Sequence, residues 1–170
     1  ERSRGLGDVY KRQTVITLKD DKYPVTVKLH YVAYGKENII RAFSEISHEE
    51  KKPVILCKYA SSMLHLNSSK YFLTEFSGDW AHEANVTERE LAFGKKVIDT
   101  KLGARANMFV SPFFQLALDN PSQENAGEVL VGTIGWTGNF RFTFEVDNKN
   151  ELRIISGINP YDSESVSYTH

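Results

Sequence analysis

The sequence predicts an all-β protein, built as an antiparallel β-sandwich. Three observations carry this. Short runs of β-branched and aromatic residues recur along the 170-residue chain, separated by turns containing Gly, Pro, Asn and Asp. Apolar and polar residues alternate with a period of two, most cleanly where Phe140, Phe142, Phe144 and Val146 interleave with Arg141, Thr143 and Glu145. No segment holds a helical stripe. Residues 39–50 come nearest and fail at Phe43-Ser44-Glu45-Ile46, whose apolar spacing does not keep to one face. About ten short strands with turns at regular spacing are the pattern of a sandwich.

Taken in order, residues 1–13 are basic, contain Gly, show no period and lack an initiator Met. They read as a translated adapter or linker remnant, as do residues 164–170, and both are set aside; the domain is residues 14–163. Val15, Ile16 and Leu18 start the first strand, and Asp20-Asp21-Lys22 turns it. Residues 24–34 alternate over a full strand, with Val25, Val27, Leu29 and Tyr31 on one side. Residues 39–46 and 53–61 are two more strands, the latter with Pro53 at its first residue, where a missing N–H is tolerated. Residues 63–66 are a short apolar piece before the Asn67-Ser68-Ser69-Lys70 turn.

Residues 71–76 form a strand that runs into Phe76-Ser77-Gly78-Asp79-Trp80-Ala81-His82-Glu83, and residues 85–90 form a polar connection. A strand enters at Val97-Ile98, residues 101–107 are irregular, and residues 113–118 are extended. After a surface loop at 119–127, residues 128–136 and 140–146 read as a hairpin joined by Thr137-Gly138-Asn139. The Asp147-Asn148-Lys149-Asn150 turn leads to a last strand, residues 152–155.

A 41% hydrophobic content supplies one sizeable core, and a net charge of −1 removes the electrostatic case for nucleic acid or an anionic membrane. No apolar run approaches the roughly 20 residues of a membrane-spanning helix. Cys57 is the single cysteine and lies in the apolar run Val54-Ile55-Leu56, which suggests a buried, inert thiol. The five histidines form no metal-ligand spacing, and no nucleophile-elbow or phosphate-loop motif is present. Asn67-Ser68-Ser69 and Asn85-Val86-Thr87 match glycosylation sequons.

Two tryptophans are the candidate binding residues. Trp80, between Asp79 and Glu83, reads either as a buried core-edge anchor or as an exposed sugar-stacking platform. Trp136, on its hairpin tip, is open to the same two readings. Asp79 and Glu83 could form an acid–base pair of the kind glycosidases use, but their separation is not legible in sequence.

Several motifs, in one order, resemble the N-terminal domain of glycoside hydrolase family 36, the bacterial α-galactosidases. Gly78-Asp79-Trp80-Ala81-His82-Glu83 resembles that family's Gly-Asp-Trp-Ala-x-Glu. Leu91-x-x-Gly94 before Val97-Ile98-Asp99-Thr100 resembles its Leu-x-x-Gly then Ile-Glu-Ser. Gly103 followed by Ser111-Pro112-Phe113-Phe114 resembles Gly then Asn-Pro-Phe. Gly127-Glu128-Val129 with Thr137-Gly138-Asn139-Phe140 resembles Gly-Glu-Val then Ser-Gly-Asn-Phe, and Gly157-Ile158-Asn159-Pro160 resembles the closing Gly-Ile-Asn-Pro. The sequence departs from the pattern at residues 104–108, where the family often has Ser-Ser-His.

The resemblance implies a fragment of a larger, supersandwich-like N-terminal domain, packed against a catalytic (β/α)₈ barrel. That barrel carries the nucleophile, in a Lys-Trp-Asp motif absent here, and the acid/base for a retaining mechanism on terminal α-galactosides such as raffinose-type oligosaccharides. It implies no catalytic residue in this chain, structural roles for the motif residues, no cofactor, a homotetramer, and a bacterial cytoplasmic or periplasmic location. Two other readings stay open. One is a free-standing carbohydrate-binding module, which needs an exposed Trp80 or Trp136. The other is a structural or oligomerisation sandwich, which needs an exposed apolar patch.

Overall fold

Along β11 (Phe140–Val146), every second side chain is buried: Phe140, Phe142, Phe144 and Val146 face inward, while Arg141, Thr143 and Glu145 face out. This is an inner strand of its sheet in the computed structural model, which describes residues 11–161 and the backbone of 165–167. The chain divides into two units.

The larger unit is a sandwich of two four-stranded antiparallel sheets. One sheet has the order β10 (Glu128–Thr133), β9 (Val110–Leu118), β6 (Tyr71–Asp79), β7 (His82–Glu90). The other has the order β5 (Ser62–Asn67), β12 (Glu151–Ile158), β11, β8 (Gly94–Asp99). Tyr71, Leu73, Phe114 and Leu116 of the first sheet join Phe140, Phe142, Phe144, Leu152 and Ile154 of the second in one buried cluster. Phe114 meets Phe142 and Phe144 edge-on, with ring centroids 5.1 and 4.9 Å apart, an arrangement that aromatic quadrupoles favour. Lys96 from β8 pairs with Glu75 of β6 at 2.7 Å and so spans the gap between the sheets near their β7/β8 edges. On the outer face of the second sheet, charges cross-link neighbouring strands: Arg153 and Lys95 both reach Glu145, and Arg141 reaches Asp99.

The smaller unit holds an antiparallel meander, β1 (Lys11–Lys19), β2 (Val25–Tyr34) and β3 (Ile39–His48), and a pair, β4 (Val54–Leu56) with β13 (Ser165–Ser167). The meander register puts Ile16 and Leu18 beside Leu29 and Val27, and Val27 beside Ile46, on one apolar face. Its other face carries Lys28, His30 and Phe43; the His30 and Phe43 rings stack at 4.5 Å, and Glu45 lies 3.3 Å from His30.

The all-β expectation holds, and no α-helix occurs among the described residues. Several local expectations do not. The pattern placed a hairpin between residues 128–136 and 140–146, but β10 pairs with β9 and β11 with β12 and β8, so the intervening loop crosses from one sheet to the other. Residues 85–90 are not a loop but most of β7; this edge strand is exposed along its whole length, so it shows no apolar period. Residues 63–66 belong to β5, and the strand expected at 53–61 shrinks to Val54–Leu56. Cys57 therefore lies beyond a strand end and is exposed rather than buried. Strand β1 begins at Lys11, inside the segment set aside as a remnant, and Ser165–Ser167 is a strand inside the other.

The two ends of the sandwich are closed differently. At the end holding the 67–70, 119–127 and 147–150 loops, one Asp119 carboxylate oxygen accepts from the Ser68 hydroxyl, the Ser69 hydroxyl and the Ser69 amide, at 2.6–2.9 Å. These bonds hold the Asp119 carboxyl below the usual range. Asn150 donates to the Ser68 and Ser69 carbonyls, and the buried Tyr71 hydroxyl accepts from the Ser68 amide and sits 2.9 Å from the Asn150 carbonyl. The 119–127 loop is pinned to β7 by the Ser122 hydroxyl and amide, which donate to Glu88 and lower its pKa.

Candidate functional site

The opposite end gathers the connections β6–β7, β8–β9, β10–β11 and the exit from β12. It also gathers most of the motif residues named above; Leu91, Gly94 and Gly127-Glu128-Val129 lie at the other end.

Chain sterics set the β6–β7 tip. A bulge interrupts pairing between Ser77 and Asp79, and Asp79 faces His82 across a turn containing Trp80 and Ala81. Ala81 and Ala84 both take positive φ, near 60° and 56°, which is costly for residues with a Cβ and marks a tightly bent connection. At Gly78 an added Cβ would lie 3.3 Å from the Glu83 backbone, so the close approach of the two strands favours glycine. The Gly78 amide donates to the Phe109 carbonyl at 3.0 Å, tying the tip to the segment entering β9. The Trp80 amide donates to Asp79 Oδ1 at 2.7 Å, and Asn85 donates to the His82 carbonyl at 2.8 Å. The result is a braced hairpin whose Trp80 side chain is 87% exposed. The core-edge anchor expected for this tryptophan is thus overturned, because the bulge and turn carry its side chain beyond the sandwich.

The second part of this end is organised by two asparagines. Asn139 Oδ1 accepts from the Gly103 amide at 2.6 Å, where the chain turns through a positive φ of 59° into a short 3-10 turn, Gly103–Arg105. The Asn139 carbonyl accepts from the Asn159 amide at 2.9 Å. Asn159 is almost fully buried; it donates to the Thr100 carbonyl at 3.0 Å and to Asp99 at 3.3 Å, and it accepts from the Tyr161 amide at 3.1 Å. Trp136, 47% exposed, lies over Gly138, where an added Cβ would come within 2.7 Å of the indole nitrogen. It stands on a loop between sheets rather than a hairpin tip. Pro112 lends its carbonyl to the Thr133 hydroxyl at 2.8 Å, Phe113 packs 5.1 Å from Phe76, and Phe140 is core.

Sequence reasoning missed four residues that this end also exposes: Leu102, Met108, Phe109 and Tyr161, the last with the Lys101 ammonium 4.4 Å from its ring centre. The one signal available was large apolar residues in a stretch without period. Asp79 and Glu83 are both exposed, and among the described residues no three His, Cys, Asp or Glu side chains gather where a metal ion could sit. The arrangement offers exposed aromatic surface on a hydrogen-bonded frame, with its asparagine groups bonded inward.

A family model described as the glycosyl hydrolase family 36 N-terminal domain matches residues 1–167. The α-galactosidase AgaA of Geobacillus stearothermophilus is 29% identical over 147 residues, covering 86% of this chain and 20% of its own length. Its crystal structure superposes with a TM-score of 0.80 at 27% identity, covering 92% of this chain and 22% of that one. Variants of it have been solved with raffinose and with stachyose. An α-galactosidase structure from Lactobacillus brevis gives a TM-score of 0.79 at 26% identity, covering 92% and 21%. The chain spans about a fifth of the length of these relatives.

Proposed function

Because the chain belongs to the glycosyl hydrolase family 36 N-terminal domain family, we propose that it is the non-catalytic N-terminal sandwich of an α-galactosidase acting on terminal α-galactosides of the raffinose type. The observation that carries this is the family match along nearly the whole chain, together with relatives whose names give that activity and whose chains are about four times as long. The chemistry is assigned to a catalytic barrel within the other four-fifths of such a protein. A retaining mechanism needs two carboxylates about 5 Å apart around the scissile bond, with room for the water that releases the glycosyl-enzyme. Asp79 and Glu83 instead stand exposed on a hairpin, and Asp79 is engaged by the neighbouring amide.

The test is to extend the reading frame in the source DNA and assay both products on raffinose and on an aryl α-galactoside. The longer product is expected to hydrolyse both with retention of configuration, and the 170-residue chain neither. A longer product without this activity overturns the reading. Assembly as a homo-oligomer, implied by the resemblance, is read by native mass spectrometry of the longer product.

The exposure of Trp80 favours a second reading, a carbohydrate-binding module. It predicts saturable quenching of tryptophan fluorescence when galactose or raffinose is titrated into the isolated chain.

A further inference from the structure

We propose that residues 119–127 form a strap across the outer face of the first sheet, latched at its crest by the Glu88 carboxylate and released when that carboxylate takes up a proton. The device belongs to this chain alone and is independent of any activity in a longer protein.

The path of the loop is the first support. Strands β9 and β10 are antiparallel neighbours, with Leu118 paired to Glu128. A hairpin between such strands closes in about two to five residues, whereas this connection uses residues 119–127. The surplus goes sideways. Asp119, at a φ of 65°, turns the chain away from β10: its amide donates to the Lys70 carbonyl, and its carboxylate accepts from the Ser68 and Ser69 hydroxyls, all at the entry to β6. Ser122 then bonds Glu88 on β7. In the sheet order β6 lies between β9 and β7. Neighbouring strands are about 4.8 Å apart, so the loop crosses the width of β6 before it returns to β10.

The crossing lies on the outer face. Glu88 pairs with Thr74, whose neighbour Leu73 faces the core, and alternate residues of a strand take opposite faces. Thr74 and Ala117 sit on this outer face and are nonetheless 5% and 2% exposed. Within residues 119–127, Ser122 alone is not exposed.

The chemistry of the latch is the second support. One oxygen, Glu88 Oε2, accepts from the Ser122 hydroxyl, from the Ser122 amide at 3.1 Å and from the Thr74 hydroxyl at 3.3 Å. Hydrogen bonds to an ionised carboxylate are roughly twice as strong as those to a neutral group. The surrounding charges are engaged elsewhere. On β7, Glu90 pairs with Lys70, and Arg89 pairs with Glu75. In the Glu88 row β6 and β9 present the neutral Thr74 and Gln115. The loop brings Asp119, bonded to Ser68 and Ser69, and the exposed Glu124. Among the described residues no Lys, Arg or His pairs with Glu88. The Ser122 hydroxyl, first of all, holds the Glu88 carboxyl below its usual range. The latch is therefore complete above the ordinary glutamate value of about 4.3 and is lost as pH falls through the lower, folded value. Release bares Thr74 and Ala117, while the bond from the Asp119 amide to the Lys70 carbonyl, which has no titrating partner, keeps the base of the strap in place.

The test is NMR on the 170-residue chain, with 15N order parameters for the backbone and 13C shifts for the carboxyl groups. At pH 7 the Ser122 amide is expected to be as ordered as β6, with an order parameter of about 0.85. As acid is added, it should fall below about 0.6 in step with the Glu88 carboxyl titration, while β6 and β9 stay ordered. Glu88→Gln, equal in size but uncharged, should show the loosened strap already at pH 7, and Ser122→Ala should loosen it in part. A strap as ordered in Glu88→Gln as in the wild type at pH 7 overturns the proposal. So does a strap that stays ordered once Glu88 is protonated, or one that loosens with the Asp119 carboxyl instead. Loosening only together with β6 and β9, in acid or in Glu88→Gln, overturns it as well, since Glu88 would then support the sheet rather than latch a loop.

Discussion

At one end of the sandwich, Asp119, Asn150 and the Tyr71 hydroxyl take up the backbone groups of the 67–70 turn. At the other, Asn139 and Asn159 do the same for the 99–103 and 159–161 segments. Both ends thus satisfy backbone that sheet pairing leaves over, as buried or half-buried polar groups require. They differ in what faces water. The first presents Ser, Asn, Asp and Lys, with Phe93 as its exception; the second presents two tryptophans, Phe109, Met108 and Tyr161. Internal bonding makes an end rigid, but the side chains left outside decide whether it still gains from a partner.

The largest expected effect removes what both ends share. Phe142→Ala, at the centre of the aromatic core, should cost about 3–5 kcal/mol in denaturant unfolding. Hydrogen exchange should then speed up at both ends together; faster exchange at one end alone would mean that the ends are not one cooperative unit. Next, Asn159→Ala should cost about 1–3 kcal/mol, because it leaves the buried Thr100 carbonyl and the Tyr161 amide without their partner. Tyr71→Phe should cost a similar amount, about 1–3 kcal/mol, at the opposite end. Each should raise exchange at both ends through global unfolding, with an added increase from local opening at its own end.

A smaller effect separates the ends by pH. Hydrogen bonds hold both Asp119, through the Ser68 and Ser69 hydroxyls, and Asp147, through the Glu151 and Lys149 amides, below the ordinary carboxylate pKa. Their contribution is therefore complete above the unfolded value of about 4 and is lost as pH falls through the folded values. Asp119→Asn should flatten the fall of Tm below about pH 4. An unchanged pH profile would remove Asp119 from that account. The smallest effect is Trp80→Ala in the 170-residue chain: stability should stay within about 0.5 kcal/mol, since the ring touches mostly water. A larger loss would mean that the ring packs on the sandwich, and would erase the contrast between the ends.

The sequence by itself determined the strands that bury one face. In β11 the period of two is written in consecutive residues, because one side of the strand must be apolar; in β2 the alternation does not carry over, since Val32 is its one buried residue and Tyr31 is exposed. It also determined the turns at 67–70 and 147–150, since Asn, Asp and Ser bond their own neighbouring backbone. The ordered Gly, Asn and Pro motifs were legible too, but not what they touch. Only the tertiary structure decided that β10 and β11 belong to different sheets, because strand partners are chosen by packing across the core rather than by proximity in sequence. It alone made β7 a strand, since an edge ladder needs a neighbour but no apolar face. And it alone placed Trp80 in water and brought it to the same end as Gly103, Asn139 and Asn159. Exposure is a property of where a turn points, and residues far apart in the chain share a site only once two sheets have closed over one core.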